Sequence, residues 1–186
     1  MSQLSKHLRA NEKVLWSGKP VMMPFILTGG VLVGFMFGIF FMVLSASAFS
    51  YTFTFPRVPL PIVALFLFFF LIVFFVAFGP IIYNLLRYSN TEYMITNQRM
   101  VTQTGAIGLD TRFVDLEKIQ EVYVRIDIID KIFGTGSLHA STAAGWVGYG
   151  TRYSFRPTLD SLKDPYNVQR ILQEAIEKAR TSAKLS

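Results

Sequence analysis

Two long apolar runs without any charged residue dominate the first half of the chain. They cover residues 24–49 and 58–86. Each exceeds the ~20 residues that an α-helix needs to cross the hydrocarbon core of a bilayer. Buried helices of soluble proteins rarely stay uncharged over such a length. The pattern therefore predicts two transmembrane helices at these positions, with an external loop at residues 50–57 between them.

Small residues near the end of the first run leave a second interpretation open. Residues 45–48 read Ser-Ala-Ser-Ala, and they follow an apolar stretch that is preceded by basic residues, as in a secretory signal peptide. The apolar core of a signal peptide is only ~7–15 residues long, however, and this run is far longer. The length favours a retained helix over a cleaved signal.

Basic residues are distributed unevenly around the two runs, and this predicts their orientation. The loop contains Arg57 alone, and Arg87 follows the second run. Because Lys and Arg remain preferentially on the cytoplasmic side, we expect a protein of the cell membrane with both termini in the cytoplasm. The N-terminal segment then covers residues 1–23 and the C-terminal domain residues 87–186. The basic residues before the first run are Lys6, Arg9, Lys13 and Lys19.

Three glycines in the first run, Gly30, Gly34 and Gly38, are spaced four residues apart. This spacing places them on one face of a helix, where they permit the close approach of another helix backbone. The second run carries bulky phenylalanines between Phe66 and Phe78. The glycine face could pack against the second helix of the same hairpin or against another copy of the chain. The alternative is that these residues have no packing role, since glycine is common in membrane helices. Neither run has an ionisable side chain, which argues against an ion or proton pathway.

After residue 86 the pattern changes to short segments rich in β-forming residues and separated by turn residues. It predicts an antiparallel, strand-rich domain. A short helix is predicted at 128–133, and an amphipathic helix at 165–181 begins behind the N-cap residue Asp164. The clearest alternation of apolar and polar residues has Val122, Val124, Ile126 and Ile128 on its apolar face. The predicted strands are 91–95, 99–104, 111–116, 121–128, 137–141 and 152–156.

Several motifs follow one another around the two apolar runs. They are Glu12–Pro20, Tyr93–Val101, Gly105, Asp115–Ile119 and Asp130–Gly136. In this order the chain resembles the membrane-flanked pleckstrin-homology (PH) domain family of bacteria and archaea. The resemblance implies a PH-like antiparallel β-barrel or sandwich capped by a C-terminal helix, without enzymatic activity. It also predicts that Glu12–Pro20 belongs to the same folded unit as the strands behind the hairpin. The expected fold class is a membrane α-helical hairpin plus an α+β soluble domain.

Several kinds of chemistry are missing from the sequence. There is no cysteine, which excludes disulfides and thiolate chemistry, and the only histidines are His7 and His139. No catalytic or phosphate-binding motif occurs, so we expect no enzymatic activity, no metal and no cofactor. The net charge is +6. The excess of basic residues lies beside the apolar runs rather than on the strand-rich domain, which argues against nucleic-acid binding.

Two groups of residues are candidates for binding. Many PH domains hold lipid head groups through basic residues near the turn after the first strand, and the resemblance places Arg99 there. Arg87 and Arg112 are further candidate contacts to anionic head groups. The second group is a glycine-rich loop with Trp146 and Tyr149, where the chain departs from the family. Exposed aromatic side chains on this loop would indicate a protein partner or the membrane interface. The alternative is that Trp146 folds back over the mouth of the barrel.

The sequence as a whole predicts a non-enzymatic, membrane-anchored scaffold or interaction module. Its expected partners are membrane lipids and a protein, either a second copy of the chain in a homo-oligomer or another membrane protein. The alternative is a module that senses anionic lipids or envelope stress. A small transporter or channel subunit is a further alternative, which the uncharged runs disfavour.

Overall fold

The computed structural model describes residues 4, 8–9, 11–54, 59–142 and 157–185. The chain forms two compact units. The first unit joins Met1–Phe25 to Leu86–Ser186, and the second is Ile26–Leu85. The segment Glu12–Pro20 therefore belongs to the same unit as the strands behind the apolar runs, as the motif order predicts.

All seven strands belong to the first unit, and α2 with most of α3 belongs to the second. Seven strands, five α-helices and a short 3₁₀ helix (Leu116–Lys118) lie within the described residues, and the strands form two antiparallel sheets. The four-stranded sheet has the order β1-β2-β3-β4, and the three-stranded sheet has the order β5-β6-β7. The elements are β1 (Val14–Gly18), α1 (Met22–Ile26), α2 (Gly29–Thr54), α3 (Leu60–Ser89), β2 (Glu92–Thr96), β3 (Arg99–Thr104), β4 (Asp110–Asp115), β5 (Ile119–Arg125), α4 (Ile128–Phe133), β6 (Gly136–Thr142), β7 (Thr158–Leu162) and α5 (Pro165–Leu185).

The first sheet is completed by a strand from the far side of the inserted segment. β1 pairs antiparallel with β2, so that Trp16 lies opposite Ile95 and Gly18 opposite Tyr93. Both long helices lie between these two strands in the sequence. An antiparallel pair is normally joined by a short turn, whereas here the connection is the second unit of the chain.

The core of the first unit forms between the sheets and α5. The buried face of α5 carries Val168, Leu172, Ala175 and Ile176, which confirms the apolar stripe predicted for this helix. These side chains pack with Ile95, Leu116, Leu138 and Leu159, each less than 2% exposed. Burying a side chain of this size contributes about 1.5–3 kcal/mol, so α5 is a structural part of the domain.

The predicted strand 121–128 is too long. β5 ends at Arg125, and Ile126 and Ile128 are 45% and 80% exposed rather than part of the core. The reason is a capping box between Asp127 and Asp130, which begins α4 at Ile128. This helix matches the predicted short helix. It ends at Phe133 and is capped by Gly134, whose φ of 65° is the left-handed conformation that favours glycine.

The end of the strand-rich region differs from the prediction as well. The predicted strand 152–156 lies outside the described residues. β7, at Thr158–Leu162, comes directly after that segment and was not predicted.

The second unit consists of the two long helices. Gly38 faces Ala77 so closely that a β-carbon on Gly38 would clash with the alanine side chain. A β-carbon on Gly30 or Gly34, by contrast, would meet no atom within 4 Å. Of the three predicted packing glycines, Gly38 alone therefore forms a close contact within the hairpin.

Both long helices are apolar enough to cross a membrane. The candidate spans are Gly29–Ser47 and Leu60–Ser89. The first run also contains Phe25 and Ile26 of the separate helix α1, so α2 begins five residues later than the predicted helix at 24–49. It also ends later, at Thr54, so residues 50–54 of the predicted loop are helical. Near the end of the unit, Asn84 Nδ2 donates a hydrogen bond of 3.1 Å to the Ile26 carbonyl.

Candidate functional site

A polar cleft of about 390 Å³ lies on the first unit, and residues of both sheets line it. This volume is within the range of small-molecule sites, roughly 300–1,000 Å³. The four-stranded sheet contributes Tyr93, Thr102, Thr104 and Arg112. The three-stranded sheet contributes Tyr123, Arg125, His139, Thr158 and Asp160, and Arg87 and Pro157 complete the lining.

Strand register brings the cleft residues together in two cross-strand rows. In the first sheet, Thr102 lies opposite both Tyr93 and Arg112. In the second sheet, His139 lies opposite both Tyr123 and Thr158. Directly opposite residues of an antiparallel pair share one face. Each row therefore presents its side chains together.

The row in the second sheet lies on the polar face of that sheet. Val122 and Val124 pack against the buried core, and neighbouring residues of a strand point to opposite faces. Tyr123 and Arg125 are consequently on the other face. The Tyr123 ring stacks on the His139 ring, with 5.0 Å between centroids and an interplanar angle of 15°.

Arg87, near the end of α3, contacts one residue of each sheet in the cleft. Its Nε donates a hydrogen bond of 2.9 Å to Thr104 Oγ1, and its Nη2 lies 3.9 Å from Asp160 Oδ2. The guanidinium also lies over the Phe25 ring, 5.2 Å from the centroid. Phe25 and Arg87 stand at the two ends of the inserted segment, so this one side chain connects both ends with β3 and β7.

Asp160 is the acidic residue of the cleft. Burial raises the pKa of its carboxyl, and the positive charge of Arg87 and the nearby His139 opposes this shift only in part. The backbone N–H of Asp160 donates a hydrogen bond of 3.1 Å to the Tyr93 hydroxyl. Burial also raises the pKa of Tyr93, so this phenol stays protonated over the ordinary pH range.

Arg112 and Arg125 stand at the more open part of the cleft. Arg112 is paired with Asp110, with Nη2 2.7 Å from Oδ2, and Arg125 with Asp127, with Nε 2.8 Å from Oδ1. The Arg112 side chain is 41% exposed and the Arg125 side chain is 64% exposed. Solvent-exposed ion pairs of this kind contribute little to stability, so each guanidinium can exchange its partner at small cost.

Arg99 does not belong to the cleft, and its position contradicts the predicted head-group contact. The residue is only 5% exposed and is bound to the buried carboxylate of Glu12. Its guanidinium lies 4.3 Å from the centroid of the Phe113 ring. Arg99 is a structural residue because its charge is already neutralised away from solvent. Of the three predicted head-group arginines, the structure brings together Arg87 and Arg112 only.

The glycine-rich loop with Trp146 and Tyr149 lies outside the described residues, so its predicted role as a partner or membrane contact stays a prediction. Among the described residues, no three His, Asp or Glu side chains are grouped so that they could hold a metal ion.

One family model matches most of the chain. Residues 19–176 match the family model described as the bacterial PH domain. This chain belongs to the bacterial PH domain family. The resemblance seen in the sequence motifs is thereby confirmed, and PH domains are generally non-catalytic. The fold is PH-like, with antiparallel sheets and helices.

A solved structure and the curated proteins add little to this assignment. A DUF1696 family protein with a pleckstrin-homology domain from Shewanella loihica PV-4 is similar over 48% of this chain and 74% of that chain. The identity is 14% and the TM-score is 0.35. None of the curated proteins matches this bacterial PH domain chain.

Sequence reasoning did not identify Tyr123, His139 and Asp160 as neighbours. Tyr123 and Arg125 are on the polar face of the predicted strand, which was a usable signal. The pairing of β5 with β6 and of β6 with β7 was not readable from the sequence, and it is this pairing that assembles the row.

Proposed function

We propose that this bacterial PH domain protein is a non-enzymatic, membrane-anchored interaction module. Its two long helices cross the cell membrane, residues 50–57 face outward, and the N-terminal segment and the PH-like domain lie in the cytoplasm. The observation that carries the proposal is the insertion of both helices between β1 and β2. The domain is attached to its hairpin by two chain connections, at Phe25 and Leu86, instead of one flexible linker.

The surface of the helices supports membrane insertion. Large apolar side chains project from both, including Val43, Phe68 and Phe75 at 63%, 63% and 69% exposure. Soluble monomers rarely expose contiguous apolar patches of this extent. Lipid would cover such a surface, and the absence of charge from both runs fits a hydrocarbon environment.

A chain without cysteine allows a direct test of topology. Single variants Thr52→Cys and Ser182→Cys place one thiol in the predicted outer loop and one near the C-terminus. A membrane-impermeant maleimide should label the first in intact cells and the second only after permeabilisation. Labelling of Ser182→Cys in intact cells, or recovery of the protein without detergent, would contradict the proposed topology.

An exposed apolar patch on α4 supports a protein partner. Ile128, Ile132 and Phe133 form this α4 patch, and they are 80%, 70% and 43% exposed. The residues Ile128 and Ile132 are one helical turn apart and share a face. Contact with a protein, either a second copy or another membrane protein, would remove this surface from water.

The double variant Ile128→Ser and Ile132→Ser tests the α4 patch. We expect a smaller particle mass in nanodiscs or the loss of co-purifying proteins in a native-membrane pull-down read by mass spectrometry. The matched control is Ile107→Ser with Leu109→Ser, since both residues are exposed on the β3–β4 connection. Unchanged mass and partners in the α4 variant would reject this surface. The same readout on Trp146→Ala with Tyr149→Ala tests the predicted aromatic loop.

A second candidate function is the sensing of anionic lipids. One observation favours it: Arg87 and Arg112, both predicted as head-group contacts, line the same cleft. Recruitment of lipid there would depend on the cleft arginines and on salt. Mass spectrometry of lipids retained by the full chain should then show enrichment of anionic species, and equal composition of retained and bulk lipids would speak against it.

A further inference from the structure

We propose that the polar cleft binds a phosphomonoester group through Arg87, Arg112 and Arg125. The proposal extends the second candidate function, because it names the recognised chemistry and the residues that hold it. It does not depend on membrane insertion, since a soluble phosphomonoester could occupy the same cleft.

Charge is the first argument for this ligand. The lining contains three arginines against one aspartate. Two of these arginines are paired with Asp110 and Asp127, which lie outside the lining, so an excess of two positive charges faces a ligand once those two pairs open. A phosphomonoester carries about −1.5 to −2 charges at neutral pH, which matches this excess. A phosphodiester carries only one negative charge and would leave part of it uncompensated.

Donor geometry is the second argument. Planar guanidinium groups bind phosphate oxygens through paired N–H donors. The threonines Thr102 and Thr158 add hydroxyl donors from the two cross-strand rows. The volume of about 390 Å³ exceeds what a phosphate ion alone requires, so the phosphate would carry an organic substituent.

The existing ion pairs do not prevent such binding. Arg112 and Arg125 are held by Asp110 and Asp127, two residues away in the chain and largely solvent-exposed. Neither aspartate lines the cleft. Solvent-exposed ion pairs contribute little to stability. One phosphate dianion can accept hydrogen bonds from both arginines at once, whereas Asp110 holds Arg112 and Asp127 holds Arg125. A phosphate that accepts from both arginines would therefore displace the aspartates.

The location separates this cleft from the head-group position that the family resemblance suggested. That position lies at the β2–β3 turn, next to Asn97 and Arg99, where Arg99 is buried against Glu12. The cleft instead uses residues of β2 to β7 and the end of α3, and its lining includes neither Asn97 nor Arg99. The three arginines come from three separate segments, and only the folded domain brings them together.

The experiment uses the full chain in nanodiscs of uncharged phosphatidylcholine. One arm titrates phenyl phosphate and measures binding by calorimetry. The other arm compares nanodiscs that contain phosphatidic acid, a phosphomonoester lipid, with nanodiscs that contain phosphatidylglycerol, a phosphodiester lipid, and measures the thermal unfolding midpoint. Saturable binding of phenyl phosphate, or a higher midpoint with phosphatidic acid than with phosphatidylglycerol, supports the proposal. The first result indicates a soluble ligand, and the second a lipid head group.

The variants Arg112→Gln and Arg125→Gln test the site without disturbing the core. Each should weaken binding about tenfold, the equivalent of about 1.4 kcal/mol. The matched control is Arg170→Gln, which removes an exposed arginine of α5 paired with Glu174. Binding that falls equally in the control, or no response to either probe in a folded wild-type protein, would overturn the proposal. Neither result would affect the proposed topology, which the thiol labelling tests separately.

Discussion

The Glu12 carboxylate and the Arg99 guanidinium form a buried ion pair that joins the segments before and after the inserted helices. Arg99 Nε lies 2.9 Å from Glu12 Oε1, and Nη2 lies 3.0 Å from Oε2. Thr96 Oγ1 donates to Oε1 at 2.7 Å, and the Arg9 backbone N–H donates to Oε2 at 2.7 Å. The side chains of Glu12 and Arg99 are 0% and 7% exposed. Both oxygens of the Glu12 carboxylate therefore accept hydrogen bonds from donors inside the protein.

Removal of the carboxylate charge should destabilise the PH-like domain strongly. Glu12→Gln leaves the Arg99 charge buried without its counter-ion, and breaking a buried pair in this way costs about 3–5 kcal/mol. Urea unfolding in detergent, followed by circular dichroism, measures the loss. Arg170→Gln breaks an exposed pair with Glu174 and should leave the midpoint unchanged.

A double variant tells whether the two residues act as one pair. Glu12→Gln combined with Arg99→Met removes both charges, so it should be more stable than Glu12→Gln alone. If the two losses simply add, the pair is not coupled and the interpretation is wrong.

The same carboxylate should make stability depend on acid pH. Burial acts to raise the pKa of Glu12, but hydrogen bonds from Arg99, the Arg9 backbone and Thr96 outweigh it and lower the pKa below 4.5. A lowered pKa in the folded state gives stability that is present above the ordinary pKa and is lost as pH falls through the folded value. The wild type should lose stability below about pH 4.5 more steeply than Glu12→Gln. Parallel curves of unfolding midpoint against pH would disprove this.

The titration of Asp160 should change the stability of the fold with pH in the direction opposite to that of Glu12. Burial raises the pKa of its carboxyl, so the folded state binds its proton more tightly than the unfolded state does. This contribution favours folding as pH falls from the raised value toward the ordinary one, and it declines as pH rises through the raised value.

Asp160→Asn removes that titration. The stability of the wild type relative to the variant should therefore increase on acidification. The contact with Arg87 favours the ionised carboxylate and lowers its pKa, so it acts against the expected increase and its loss cannot produce it. Unfolding midpoints between pH 4 and 8 give the comparison, and a difference that does not vary with pH would refute the assignment.

Local signals in the sequence were sufficient to predict many of the helices and strands. β3 begins and ends where predicted, and α4 and α5 begin at the predicted residues. Each of these elements carries its own signal, such as the turn at Asn97, the left-handed Gly134 or the apolar stripe of α5. A helix cap overrode the alternation that had suggested a longer β5, because Asp127 and Asp130 form hydrogen bonds that a strand would not allow.

The cleft and the buried ion pair depend on contacts between distant residues, and the sequence did not reveal them. The family resemblance places Arg99 at a head-group position, yet Glu12, 87 residues away, neutralises its charge. His139 and Asp160 become neighbours of Arg112 only after two sheets have formed. The resemblance therefore identified a basic residue, but its environment at Arg99 depends on a partner that lies far away in the sequence.

The last prediction separates two roles of the glycine face on α2. Gly38 lies against Ala77, so the side chain of Gly38→Val would clash with it inside the hairpin. Overpacking of this kind costs about 1–3 kcal/mol. The variant should lower the thermal midpoint of the hairpin in detergent. Gly34→Val is the matched change on the same face, where a β-carbon meets no atom within 4 Å.

Gly34→Val should therefore leave the midpoint of the monomer unchanged. If the glycine face also packs against a second copy, this variant should reduce the particle mass in nanodiscs while the midpoint stays the same, because only the contact between chains needs the space at Gly34. If Gly34→Val changes neither the particle mass nor the thermal midpoint, the glycine face of α2 has a packing role only at Gly38. A lowered midpoint with Gly34→Val would show instead that α3 approaches Gly34 as closely as it approaches Gly38, contrary to the packing described.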